Sequence, residues 1–399
     1  MSLPLVAIII LAQTPTEKLL LEKIAQLEAR LAVLEAREAA RTTTAPAPSP
    51  PQSPPQPLPT APTPTPTPTV NLMLDSYYAF NTNRPSPPVN QLRAFDSVHN
   101  SFNLNQATLV VEQQTSLSAR RYSGGRVDFQ FGQATGLLQG SAANEPRPAL
   151  YRNLFQAYGS LLAPIGNGLT LDFGKFASSL GLETNYAKDQ FNYSRSYFFN
   201  FLPFYHAGLR ASYPIHSRFT ATYWLVNGAN QTEDFNAAKS QAAILSFQPL
   251  SQISGNLNFF TGNENHSSFR VLNSYWTWTA HPRLTLATDL SHVRHRRGAV
   301  RGGSFYARFL VSPRWSLAAR STLFNDSSGL FSGRAQNLRE LTLTATLQLA
   351  NQFQWRWEYR RDQSNQSFFL RQSSPSPARN LDTFSLGLLL WWGPKQGAW

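Results

Sequence analysis

The chain has 399 residues, 42% of them hydrophobic, a formal charge of +13 and a mean hydropathy of −0.31. Beyond residue 70 no run approaches the ~20 consecutive apolar residues of a helical membrane span. Cysteine is absent, which excludes disulfides and thiolate chemistry. The positive charge calls for anionic partners such as lipid headgroups or anionic solutes. The arginines form no nucleic-acid motif; nucleic acid is not an expected partner, although Arg294, Arg296, Arg297 and Arg301 make one dense cluster.

Leu3 to Ala12 is a ten-residue apolar run, the length of a signal-peptide core, so residues 1–12 are read as a signal peptide. The usual basic residues ahead of it are missing, and a plain apolar tail is the alternative. Over residues 17–41, Leu20, Ile24, Leu27, Leu31 and Leu34 repeat at spacings of 4, 3, 4 and 3 with Glu and Arg on their flanks. That is a coiled-coil seam. It is too short to persist as a lone helix, so self-association is expected; docking of one amphipathic helix elsewhere is the alternative. Residues 42–69 are rich in Pro, Thr, Ser and Ala. They read as an extended polyproline II spacer, at ~3.1 Å per residue, crossing the periplasm or a cell-wall layer.

From residue 70 onward the pattern has period two, the signature of strands. Leu341, Leu343, Ala345, Leu347 and Leu349 alternate with Glu340, Thr342, Thr344, Thr346 and Gln348. Trp355, Trp357 and Tyr359 alternate with Arg356, Glu358 and Arg360, and Leu209 and Ala211 with Arg210 and Ser212. Mid-strand charges need water or partners, whereas large rings at strand ends suit a lipid interface. The apolar face therefore looks out and the polar face in. Sixteen strands are counted, at about 70–80, 103–113, 124–133, 152–163, 167–175, 204–213, 218–227, 239–248, 254–262, 269–279, 283–292, 303–311, 314–324, 339–349, 352–361 and 382–392.

Short turns alternate with long polar connections, at 81–102, 133–151, 176–203, 228–238, 262–268, 293–302, 325–338 and 362–381. The fold class is thus all-β: a transmembrane antiparallel β-barrel of about 16 strands, with 14 or 18 as alternatives, spanning residues 70–399 behind the coiled-coil helix and Pro-rich linker. An even count puts both barrel ends on the short-turn side. Sixteen to eighteen strands enclose water rather than a filled core.

The stretch from Leu180, LGLETNYAKDQFNYSRSYFFNFLPFYHAGLRASYPI, with WLVNGANQTEDFN, FFTGNEN, LAARSTLFNDSSG and WRWEYRRDQS, resembles the OmpL-like family of outer-membrane β-barrel porins over most of residues 72–392. Glu183, Asn192, Ser194–Ser196, Pro203, Gly208, Tyr213, Asn227, Gly228, Glu358, Arg360 and Asp362 carry the likeness. It implies a porin-like channel in the outer membrane without naming a solute. The helix and linker lie outside it.

The connection over 176–203 holds Glu183, Lys188, Asp189 and Arg195 among many aromatic residues. Loops of this length in compact proteins are usually functional. Its position resembles the third loop of general porins, which folds into the lumen. The expected pore-lining or constriction residues are Glu183, Arg195, Arg210, Arg320, Arg356, Glu358 and Arg360; the alternative is a loop packed on the rim. Inward Arg126, Arg210, Arg308, Arg320, Arg356 and Arg360 are nearly balanced by Asp128, Asp172, Asp289, Glu340 and Glu358. Any anion preference is then mild.

No metal, cofactor or catalytic group is expected: His292 and His295 are poorly spaced for a metal, and the closeness of Asn192, Ser194 and His206 in sequence is common by chance. The expected function is passive diffusion of small hydrophilic solutes or ions through a homo-oligomeric barrel, such as a trimer, bound to membrane lipids. The barrel sits in the outer membrane with the helix and linker in the periplasm. An envelope tether to the cell wall is the alternative, and an outer-membrane hydrolase the lesser one.

Overall fold

The computed structural model describes residues 29, 32, 68–139, 145–264, 267–372 and 376–395. The expected signal peptide, the coiled-coil segment apart from Ala29 and Ala32, and the linker up to residue 67 lie outside the described residues.

Sixteen strands follow one another: β1 (Thr69–Asn81), β2 (Phe102–Gln113), β3 (Ser123–Phe131), β4 (Leu154–Ala163), β5 (Leu169–Ala177), β6 (Tyr205–His216), β7 (Phe219–Val226) and β8 (Ser240–Leu250), then β9 (Ile253–Glu264), β10 (Ser267–His281), β11 (Leu284–His295), β12 (Gly298–Leu310), β13 (Trp315–Asp326), β14 (Gln336–Ala350), β15 (Phe353–Ser364) and β16 (Asn380–Trp392). Each pairs antiparallel with its sequence neighbours, and β1 pairs with β16, closing the barrel. Closure removes every sheet edge, which a strand structure in hydrocarbon requires.

Accessibility separates the two faces. On β14, Leu341 and Leu343 are 45% and 48% exposed while Glu340 and Thr342 are 2% and 0%. Trp355 and Trp357 on β15 are exposed, and Arg356 and Glu358 between them are buried. The apolar residues therefore form an outer belt. Rings cluster at its short-turn end, where Trp315 stacks on Trp357 at 5.8 Å and Phe247 meets Trp276 at 4.4 Å. Such rings anchor a barrel at a membrane–water boundary.

Both barrel ends lie with the short turns, since Leu72 pairs with Trp392 and Thr69 with Glu112. The opposite rim carries the connections over 82–101, 132–153, 178–204, 227–239, 327–335 and 365–379. Two expected long connections are corrected. β11 and β12 continue to His295 and Gly298 and turn through Arg296 and Arg297 alone, and β9 and β10 run on to Glu264 and Ser267. Arg294 and Arg301 lie within those extended strands. Their charge suggested a loop in the sequence, but a strand beyond the hydrocarbon layer tolerates charge on its outward face.

The inward face is not polar throughout. Near the long-loop rim, Val226, Phe260, Val271, Val293, Phe324 and Leu338 turn inward and form a buried apolar cluster. This cluster positions the loop described next.

Candidate functional site: a loop across the lumen

The connection over 178–204, between β5 and β6, enters the barrel instead of standing on its rim. Two devices hold it. The first is apolar. Ser196 caps a short helix, α1 (Tyr197–Phe201), by accepting from the N–H of Phe199. The helix presents Phe198 to Phe324 at 4.7 Å, within the inward apolar cluster. The second is polar and reaches around most of the wall. The N–H groups of Gly181 and Leu182 donate to Asn273 on β10 and Asp289 on β11, at 3.1 and 2.9 Å. The Tyr186 hydroxyl donates to Asp128 on β3, which also holds Arg126 at 2.8 Å. Asn192 donates to Thr344 on β14 at 2.8 Å, and the Tyr193 hydroxyl to Asp75 on β1 at 2.8 Å. The Tyr197 hydroxyl donates to Asp362 on β15 at 2.5 Å. The Tyr193 ring lies against Gly387 of β16, where an added Cβ would come within 2.5 Å of it; this close approach requires glycine.

Most of the residues singled out in the sequence meet at this loop. Glu183 accepts from the N–H of Ser196 and from Arg320, both at 2.8 Å, which ties the two ends of the loop to each other and to β13. Arg320 also donates to Glu340 at 3.0 Å and to the carbonyl of Ser194 at 2.6 Å. Glu358 accepts from the N–H groups of Tyr193 and Ser194 at 2.6 and 2.9 Å. Arg356 donates to the carbonyls of Ala187 and Asn192, and Arg360 to the carbonyl of Arg195 and to Asp362. Arg195 is fully buried. It donates to the carbonyls of Tyr193, Thr184 and Asn185 and lies over the Phe95 ring at 4.4 Å. Arg210 stands apart from this network, paired with Asp172 at 2.8 Å and lying over Phe176 at 4.6 Å.

Sequence reading missed Asp75 and the bracing part played by the first long loop; it placed Asp289 on the inward face without linking it to the 178–204 loop. In the first long loop Arg93 pairs with Asp96 and, at 2.6 Å, with Asp362. Asp75 carries the same signal as Asp289: each is an acid on the inward parity of an otherwise apolar or neutral strand. Arg93 has none, because loop residues carry no periodicity.

Two cavities remain beside the loop, of about 240 and 220 Å³. Leu182 and Glu183 line both. Arg126, Arg210 and Tyr275 face the first; Phe191, Thr277, Tyr306 and Arg308 face the second. Glu183 and Asp189, the acids of the second cavity, are paired with Arg320 and Lys188. Arg308 lies over the Phe191 ring at 4.7 Å and has no ion-pair partner among the described residues. Arg308 thus faces the second cavity with no acid bonded to it among the described residues.

The histidines sit elsewhere. His206 is buried between the Gly228 carbonyl at 2.9 Å and the Ser178 hydroxyl at 3.2 Å, while Ser194 bonds Arg320. His292 is exposed outward, and His295 lies on the opposite parity. Outside the membrane, Arg147 and Tyr151 clamp Glu233 between two long loops and hold its carboxyl down at about 2.

A closed up-and-down barrel with an apolar belt, a charged interior and a loop folded across that interior defines a porin of the outer membrane. Residues 68–390 match the family model described as "Putative beta-barrel porin-2, OmpL-like", and the chain belongs to that family. Among curated proteins no sequence matches. Solved structures of similar fold include an anion-selective porin from Comamonas acidovorans, at TM-score 0.56 and 10% identity, covering 82% of this chain and 99% of that one. The outer-membrane channel DcaP of Acinetobacter baumannii is similar at TM-score 0.52 and 10% identity, covering 82% and 96%. OprB of Pseudomonas putida is similar at TM-score 0.52 and 11% identity, covering 82% and 94%. At these identities the likeness speaks for the fold.

Proposed function

We propose that the barrel is a narrow diffusion channel for small hydrophilic solutes or ions, with the 178–204 loop as its constriction. The observation that carries this reading is the placement of the two cavities. The loop is bonded to β1, β3, β10, β11 and β13–β15, and open space remains beside it, against β3–β6 and β10–β12. Charges at a constriction set ion preference through their local field. Of the expected constriction residues, Glu183 and Arg210 face these cavities. Arg195, Arg320, Arg356, Glu358 and Arg360 act instead by holding the loop in place. With no acid bonded to Arg308 among the described residues, the channel passes anions mildly better than cations. An anion-selective porin among the structures of like fold agrees with this reading.

The barrel assembles as a homo-oligomer. A trimeric form of OmpT from Vibrio cholerae, similar in fold at TM-score 0.50, is consistent with a trimer. The long connections face the cell exterior. The ends of the barrel then face the periplasm; a tether to the cell wall through residues 17–69 is the second reading.

Single-channel recording of refolded protein in planar bilayers tests the reading. Small, steady conductance steps are expected, with a reversal potential displaced mildly toward the anion. Replacing residues 184–195 by a short Gly-Ser bridge is expected to raise conductance several-fold. Conductance unchanged by that replacement would place the constriction elsewhere.

A further inference from the structure

Where β10, β11 and β12 leave the apolar belt toward the long-loop rim, their outward face is lined with arginine. Arg270 and Arg294 are direct cross-strand partners, as are His292 and Arg301. Arg296 and Arg297 form the turn just above them. All five arginines are exposed. Just below on the same face lie Leu272, Leu290 and Phe305, large apolar residues of the exposed belt.

Like charges placed directly opposite on antiparallel strands repel. Elsewhere on the outward face an arginine stands opposite an acid, as Arg361 does Asp382 at 3.7 Å. Among the described residues none of these five arginines has an acidic partner. The flanking outward residue beside Arg301 is the neutral Asn325. The barrel by itself gains nothing from this arrangement. Its height does suggest a partner: guanidinium groups set one residue pair above an exposed hydrocarbon belt stand at the level of lipid headgroups. The fork of an arginine matches the oxygens of a phosphate, and two neighbouring forks can share one.

We propose that this arginine face binds the phosphate groups of an anionic glycolipid in the outer leaflet. The proposal rests on the orientation given above, with the long connections facing the cell exterior.

Full-length refolded protein is titrated in neutral detergent micelles doped with diphosphoryl lipid A, monophosphoryl lipid A or phosphatidylethanolamine, and binding is read by thermophoresis. The expected order follows phosphate number, with salt weakening binding. The combined variant Arg270→Gln, Arg294→Gln, Arg301→Gln is expected to weaken binding of diphosphoryl lipid A about tenfold or more. Arg218→Gln with Arg314→Gln, at the opposite rim, is expected to leave it unchanged. The turn pair Arg296→Gln, Arg297→Gln alters no strand residue and is expected to give a smaller loss. Undiminished binding by both the combined variant and the turn pair, each folded by its heat-modified gel mobility, would overturn the proposal. Complete displacement by millimolar inorganic phosphate would overturn the lipid assignment. The chain has no cysteine, so Arg297→Cys can be labelled on intact cells with an impermeant maleimide. Lipid binding with no surface labelling would refute the orientation and leave the site standing.

Discussion

Arg320 has no exposed surface and lies between Glu183 and Glu340, at 2.8 and 3.0 Å. Its removal leaves two buried carboxylates whose one remaining ion-pair contact among the described residues is Arg360, 4.0 Å from Glu340. Breaking one side of a buried ion pair destabilises by about 3–5 kcal/mol. Arg320→Gln is therefore expected to lower the urea midpoint of the folded barrel and to loosen the loop. A midpoint equal to wild type would show that the network has no role in holding the barrel. Glu233 makes a pH prediction of known sign. Its folded-state carboxyl is depressed from 4.5 to about 2 by Arg147 and then Tyr151. The contact it makes is fully present above the unfolded value and is lost as pH falls from about 4.5 toward 2. Spin labels at Leu150→Cys and Phe235→Cys, both exposed sites, should show the two loops separating only in that window. Separation already at neutral pH would contradict the clamp. Gly387 makes the third case: Gly387→Val would push Tyr193 off the wall. Noisier channel current is the expected reading, and unchanged recordings would sink that role.

At the scale of elements, the strands and the length of the loop were largely legible, and the partners that hold the loop were not. Alternation survives wherever one face meets hydrocarbon and the other meets water, so the parity of β14, β15 and β16 could be read directly. It also survives into the extra turns of strand at Arg294 and Arg301, but charge there disguised it as loop. A residue such as Leu343, at the middle of the outward face, tests the assignment. Leu343→Arg is expected to destabilise the barrel by about 2–4 kcal/mol in vesicles, as an arginine at the bilayer midplane does. Equal folding yields for the two proteins would mean that this face does not meet lipid. The inward apolar cluster around Phe324 escaped sequence reading because it breaks the rule that inward means polar. It does so where a piece of the chain, α1, returns to cover it.

At the scale of the whole molecule, the 178–204 loop draws its partners from nearly the full length of the barrel, from Asp75 on β1 to Gly387 on β16. Deleting residues 17–65 should leave single-channel conductance unaltered, because every contact of the loop named above lies within residues 68–395. A changed conductance would show that the segment ahead of the barrel gates it. Periodicity in the chain pointed to about sixteen strands, with 14 or 18 open until the sheet closed, and to their lipid-facing side and the common side of the two ends, since each follows from local alternation and an even count. It also flagged the long loop and most of the charged residues that meet it. Which charges face open space and which are spent as braces was settled only by the folded barrel. Glu183 and Arg195 lie twelve positions apart in one polar loop, and no local pattern distinguishes them. Closing the sheet brings β1 beside β16 and the loop between β3 and β15, and those distant partners divide the roles.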